Sequence, residues 1–139
     1  MQERQVAHKM DIKAANSGKY VQIDRTSEED KYTPNYVEME DGKKISRVRI
    51  MATVLDKYVS EDGNYASLTL DDTTDTIRCK IFKELDIIET IEKGDLVDLV
   101  GKLKEYNEER YIQPEIMVRI ENPNFEVLRI LELKKSVIN

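Results

Sequence analysis

Between Lys44 and Val118 the chain repeats one pattern, in which apolar and polar residues alternate in runs separated by short polar turns. The first run, Ile45 to Leu55, places Val48, Ile50, Ala52 and Val54 on one parity. A period of two over this length specifies a strand with one face buried. Tyr65 to Leu70 repeats it with Ala66, Leu68 and Leu70, and Thr76 to Phe82 with Ile77, Cys79 and Ile81. Leu96 to Tyr106 carries Val97, Leu99, Gly101 and Leu103 on the inner parity, and Arg110 to Val118 supplies a fifth run. Asp71 to Asp75 and Asn107-Glu108-Glu109 read as turns, because Asp and Asn side chains bond the backbone two residues on. One segment breaks the period. In Lys83 to Lys93, Leu85, Ile87, Ile88 and Ile91 recur at helical steps, which predicts a short amphipathic helix with Gly94 as its C-terminal cap.

Three strands, one helix and two more strands is the element order of the OB-fold. The expected architecture is mainly β: a five-stranded OB-fold barrel with a short helix between strands three and four, plus a C-terminal helix. The first strand is long because it serves both sheets. Gly101, in mid-strand, suits a bend or a close backbone approach. Val48, Ile50, Val54, Leu68, Leu70, Ile77, Ile81, Leu99 and Leu103 are expected in one core. Another small β-barrel is the competing architecture, and the helix falling after the third strand favours the OB order.

The chain has 139 residues, of which 36% are charged and 40% hydrophobic, so the core is modest and the surface highly charged. No apolar run reaches the length of a membrane span, and the first residues lack the apolar stretch of a signal peptide. Cys79 is the single cysteine, which rules out an internal disulfide and a cysteine-based zinc site. A cytoplasmic, nucleoid-associated setting is expected. The net charge of −6 argues against a tight, stand-alone nucleic-acid binder but leaves room for a local basic strip.

Residues 1–31 are polar and are expected to be a flexible extension, with Tyr20 to Ile23 as a short edge strand and Asp24 to Lys31 as a solvated charge run. His8 is the single histidine, and without a neighbouring ligand type it reads as an ordinary surface residue. Residues 32–120 form the OB-fold domain. Within it, Tyr36-Val37 and Asp41-Gly42 predict a hairpin laid against the start of the first long strand. Residues 121–139 follow as an oligomerisation helix. Asn122 or Asn124 supplies its cap, and Phe125 to Ile138 carry a wide apolar stripe. That helix either packs back on its own domain or docks a partner.

Pro34-Asn35-Tyr36-Val37, Gly42 to Val48, Val54 to Tyr58, Gly94-Asp95-Leu96-Val97 and Gly101 to Tyr106 together resemble archaeal replication protein A. The similarity is to its middle-sized, single-OB subunit and to replication protein A-associated proteins, over roughly residues 32–118, with a weaker match at Arg4 to Ala7. The order and spacing of these pieces carry the resemblance, since each piece alone occurs in many OB proteins. The chain lacks the zinc finger and multiple OB domains of the large subunits. The resemblance implies a non-catalytic subunit that binds single-stranded DNA in replication, recombination and repair. It also implies that the last helix joins larger and smaller subunits, through Phe125, Leu128, Ile130, Leu131 and Ile138.

No catalytic triad, phosphate loop or His-Glu metal spacing is present in the sequence, and no cofactor, metal, membrane or small-molecule substrate is expected. Asp71, Asp72 and Asp75 read as turn formers rather than cation ligands. For nucleic acid, the outward parity of the third run gives Arg78, Lys80 and Phe82, with Ser67 and Thr69 beside them. The fourth run gives Lys102 and Lys104, and its turn gives Tyr106, Arg110 and Tyr111, while Tyr58 and Tyr65 flank the first turn. Cations that track phosphates beside aromatic faces that stack bases are what single-strand binding uses. The same residues also fit the solvent face of any antiparallel sheet. Two alternatives therefore stand beside DNA binding: a purely structural assembly subunit without DNA contact, and an RNA-binding OB domain.

Overall fold

The computed structural model describes residues 7–23 and 34–138, with side chains through residue 135. Five long strands carry the core: β5 (Arg47–Val59), β6 (Tyr65–Asp71), β7 (Thr76–Phe82), β8 (Leu96–Tyr106) and β9 (Glu109–Ile120). Ahead of them come β1 (His8–Lys9), α1 (Ile12–Asn16), β2 (Lys19–Val21), β3 (Tyr36–Glu38) and β4 (Lys44–Ile45), and α2 (Asn124–Ile138) follows. The main sheet has six strands in the order β1-β5-β6-β7-β9-β8, and pairing of β5 with β8 closes it into a ring. β5 is long because it works twice: Arg47 to Thr53 pair with β8, and Thr53 to Val59 pair with β6. β7 and β9 pair in parallel through Arg78↔Tyr111 and Cys79↔Ile112.

The architecture is mainly β, an OB-fold with a C-terminal helix. It differs from the expected plain five-stranded barrel by the added strand β1 and by a second, three-stranded sheet β2-β3-β4. All nine residues expected in the core are buried, at 4% exposure or less. Gly101 lies at a register shift between β8 and β9, and a Cβ there would stand 2.5 Å from the Gln113 carbonyl oxygen, so only glycine fits. The Tyr36 hairpin forms as expected, with Val37↔Ile45 paired and both side chains buried.

Two expectations are corrected. The helix over Lys83 to Lys93 is a single 3-10 turn, Leu85–Ile88. Past it the backbone continues in isolated turns, with the Ile91 N–H on the Ile88 carbonyl at 3.0 Å; Lys57 Nζ also bonds the carbonyls of Ile88 (3.2 Å) and Ile91 (2.7 Å), and Ile88 and Ile91 turn into the core. Gly94, at φ +95°, instead shapes the entry to β8 and donates to the Val54 carbonyl at 2.8 Å.

The second correction concerns residues 1–31, of which 7–23 are folded against the domain rather than flexible. Ile12 and Ala15 of α1 are fully buried, and β1 pairs with β5. The Asp71 to Asp75 turn holds α1: Asp72 accepts the Ile12 N–H (2.8 Å), Thr74 accepts that of Lys13 (3.1 Å), and Asn16 donates to Asp75 (2.9 Å). Four orphan N–H groups at a helix start need such acceptors, and here a distant turn supplies two. The charge run Asp24 to Lys31, Arg4 to Val6, and the Tyr32-Thr33 start of the extended segment lie outside the described residues.

Candidate nucleic-acid interface

Strand register sets the outward face. Thr69, Arg78, Tyr111 and Lys104 form one row across β6, β7, β9 and β8. Ser67 and Lys80 pair in the next row, and Tyr65 and Phe82 in the one beyond. Three rings follow one another on this face: Tyr58 and Tyr65 at 6.2 Å between centroids, then Tyr65 and Phe82 at 5.2 Å. Both pairs are tilted, at 55° and 45°, which leaves ring faces open rather than stacked on each other. Tyr58 and Phe82 are more than half exposed. These are platforms on which bases can stack.

The cations beside them are less free than the sequence suggests. Lys80 Nζ sits 4.7 Å from the Tyr111 ring centroid and donates to a Glu109 carboxylate oxygen. Arg78 Nη1 lies 3.9 Å from the other oxygen of the same carboxylate. One acid thus faces both cations of β7. Burial pushes the Tyr111 phenol up, partly offset by the Lys80 charge, and Tyr20 and Tyr65 stand among its neighbours. Tyr20 arrives from a distant part of the chain on β2, a juxtaposition that no local pattern in the sequence signals.

The structure gathers Arg78, Lys80, Phe82, Lys104 and Tyr111 on one face. Lys102 is exposed one row further along β8, opposite Gln113 and Arg47. Tyr106, 69% exposed, lies at the hairpin end opposite Glu109. Arg110 does not join them. Its parity is that of buried Ile112, and its guanidinium donates to the carbonyls of Ala15 (2.9 Å), Ser17 (2.8 Å) and Gly18 (3.3 Å) and to Glu105 (3.0 Å). It clamps the N-terminal segment.

On α2, Phe125, Val127, Leu128, Ile130 and Leu131 are each about half exposed, at 49–57%. The side chain of Ile138 lies outside the described residues. The helix touches its own domain through Arg129 to Asp98 and Lys9 to Glu132. The helix thus meets the domain through a polar seam and leaves apolar side chains open. Among the described residues no cluster of acids, histidines or cysteines has metal-site geometry, and no helix is long and apolar enough to cross a membrane. Burial pushes the Cys79 thiol far up, so it behaves as a core residue.

Residues 48–128 match the family model for the OB-fold nucleic acid binding domain. The chain belongs to this family. A curated relative, an uncharacterized protein of Methanocaldococcus jannaschii, is 35% identical over 96 residues, which is 69% of this chain and 38% of that protein. The chain thus spans well under half the length of that relative. Among solved structures, a chain of a replication protein A heterotrimer bound to single-stranded DNA superposes with TM-score 0.74 at 15% identity, covering 96% of this chain and 97% of that one. A chain of the Schizosaccharomyces pombe Stn1–Ten1 complex superposes with TM-score 0.75 at 15% identity, covering 97% and 93%. At such identities these likenesses establish the fold, over nearly the whole of both chains.

Proposed function

We infer that this chain is a non-catalytic, single-stranded DNA-binding subunit of a replication protein A-type complex, acting in archaeal DNA replication, recombination and repair in the cytoplasm. Residues 32–120 hold the strand, and residues 121–139 join it to larger and smaller subunits. The observation that carries the reading is the run of open rings Tyr58, Tyr65 and Phe82 beside Lys80 and Tyr111 on one outward face. Aromatic faces accept any base, and adjacent cations follow the backbone. The deciding measurement is fluorescence titration with labelled oligo-dT. Phe82→Ala is expected to cost about 1–3 kcal/mol of binding. Unchanged affinity after Phe82→Ala and Lys80→Ala would leave the chain as an assembly module. That second reading has its own support, because Glu109 already occupies both β7 cations and α2 exposes apolar side chains. RNA in place of DNA is separated by running the same titration with oligo-U.

A further inference from the structure

A groove of about 790 Å³ runs between α2 and the outer face of β5, β8 and β9. Met51, Val100, Ile116 and Val118 line it from the sheet, and Phe125 and Leu128 from the helix. Among these apolar walls stands Arg129, whose side chain is only 7% exposed. Its Nη2 donates to Asp98 at 3.0 Å. Its Nε and Nη1 are buried and make no hydrogen bond among the described residues. The second acid nearby, Glu132, stands 3.9 Å from Nε, beyond bonding distance, and is held by Lys9. Asp98 in turn is shared with Arg49, whose Nη2 lies 2.8 Å from the same oxygen that Arg129 uses. Three cations, Lys9, Arg49 and Arg129, therefore meet two carboxylates, Asp98 and Glu132, in the groove lining. A buried guanidinium with open donors costs stability unless an acceptor completes it.

We propose that this groove is the seat of an amphipathic helix of a partner protein, whose apolar face fills it and whose Asp or Glu carboxylate accepts the free Nε–H and Nη1–H of Arg129. The chemistry selects this occupant. A carboxylate matches two N–H groups of one guanidinium side on and neutralises the excess positive charge. A nucleic-acid backbone would bring several phosphates against Met51, Ile116, Val118 and Phe125, where the cations exceed the carboxylates by one charge only. An apolar helix without an acid would leave the two buried donors with nothing to bond. Helix-in-groove docking places an acid between apolar anchors three or four residues apart. The inference rests on the partner-docking half of the proposed function and adds to it the acid by which the partner is recognised.

The test selects a displayed library of amphipathic helical peptides on the full chain. The enriched peptides are expected to share an Asp or Glu between apolar residues at helical spacing. Changing that acid to its amide should weaken binding to the native chain by about tenfold or more. The same change should make no difference on Arg129→Met, in which Asp98 keeps Arg49 and no lone charge is left. Arg129→Lys, which keeps the charge but loses the paired donors, should fall between the two. The Arg129 Nε–H resonance should move on titration with the acid peptide and stay in place with its amide twin. Circular dichroism of each variant confirms that the domain is folded. Enrichment of peptides without acids, no enrichment at all, or an acid effect that persists in Arg129→Met would overturn the proposal. Oligo-dT binding is a separate measurement, so failure here leaves the DNA reading standing, and failure there leaves this one.

Discussion

Glu109 is the residue on which the proposed DNA face turns. It reaches Lys80 and Arg78 together, so a phosphate approaching β7 must displace a carboxylate that is already there. Removing that charge frees two cations without touching a ring. Glu109→Gln is accordingly expected to raise oligo-dT affinity several-fold and to steepen the salt dependence by about 0.7 units of logarithmic slope for each further phosphate that is neutralised. Titrations at several salt concentrations check it, and a weakened or unchanged affinity would mean that Glu109 orients Lys80 for binding instead. The cations were legible in the sequence because alternation alone puts Arg78, Lys80 and Phe82 outward. Their neutralisation was not, since Glu109 lies on β9 and meets β7 only through a short parallel pairing that no local pattern encodes. Arg110 shows the same limit. Its type and its place beside a turn suggested phosphate binding, while its inward parity, visible in Ile112 two residues on, was the signal that it faces the other way.

At the scale of elements, the N-terminal segment is held by side chains far away in sequence. Arg110 donates to three of its backbone carbonyls, at Ala15, Ser17 and Gly18. Losing bonds from a charged donor of this kind costs about 1.5–3 kcal/mol. Arg110→Gln should therefore lower the stability in urea by roughly that amount, with α1 amides losing protection from hydrogen exchange first. At the same end of α1, the Asn16 amide and the Thr76 N–H hold the Asp75 carboxyl below its ordinary value of 3.8. A depressed carboxyl stabilises the fold above the ordinary value and stops doing so as pH falls through the lowered one. The Asn16 side-chain amide resonance should thus stay constant above about pH 4 and shift below it, and in Asp75→Asn that titration should vanish. The alternation announced the strands, and Asp71 to Asp75 announced a turn. That the turn also caps a helix some sixty residues upstream follows from the closed sheet, which brings the β6–β7 loop over the start of the chain, and a window of neighbouring residues holds no trace of it. The helix expected at Lys83 to Lys93 shrank to one turn as Ile88 and Ile91 turned into the core, where Lys57 from β5 joins their carbonyls, a contact that local spacing does not encode.

For the molecule as a whole, the sheet and α2 divide the work. The core lies inside the closed sheet, where Ile50, Leu68, Leu99 and their neighbours are fully buried, and none of it comes from the outer side of α2. Val127, Ile130 and Leu131 stand on that outer side at 49–57% exposure, while Arg129 and Glu132 tie the inner side to Asp98 and Lys9. An open apolar stripe on an acidic surface favours association, because facing stripes of two helices interdigitate and shed water. The proposed subunit interface uses this outer stripe together with Phe125 and Leu128 at the groove. Ile130→Asp with Leu131→Asp should therefore release the chain from its complex, since each carboxylate would be buried there without a partner. The isolated domain should keep its strand-rich circular dichroism and its urea midpoint, as exposed substitutions away from the core change stability by only about 0.5 kcal/mol. Co-purification of the complex before and after substitution reads the first outcome, and denaturation of the lone chain reads the second. Retained assembly would move the interface to another surface, and loss of the domain along with the complex would mean that α2 is needed to hold the sheet closed.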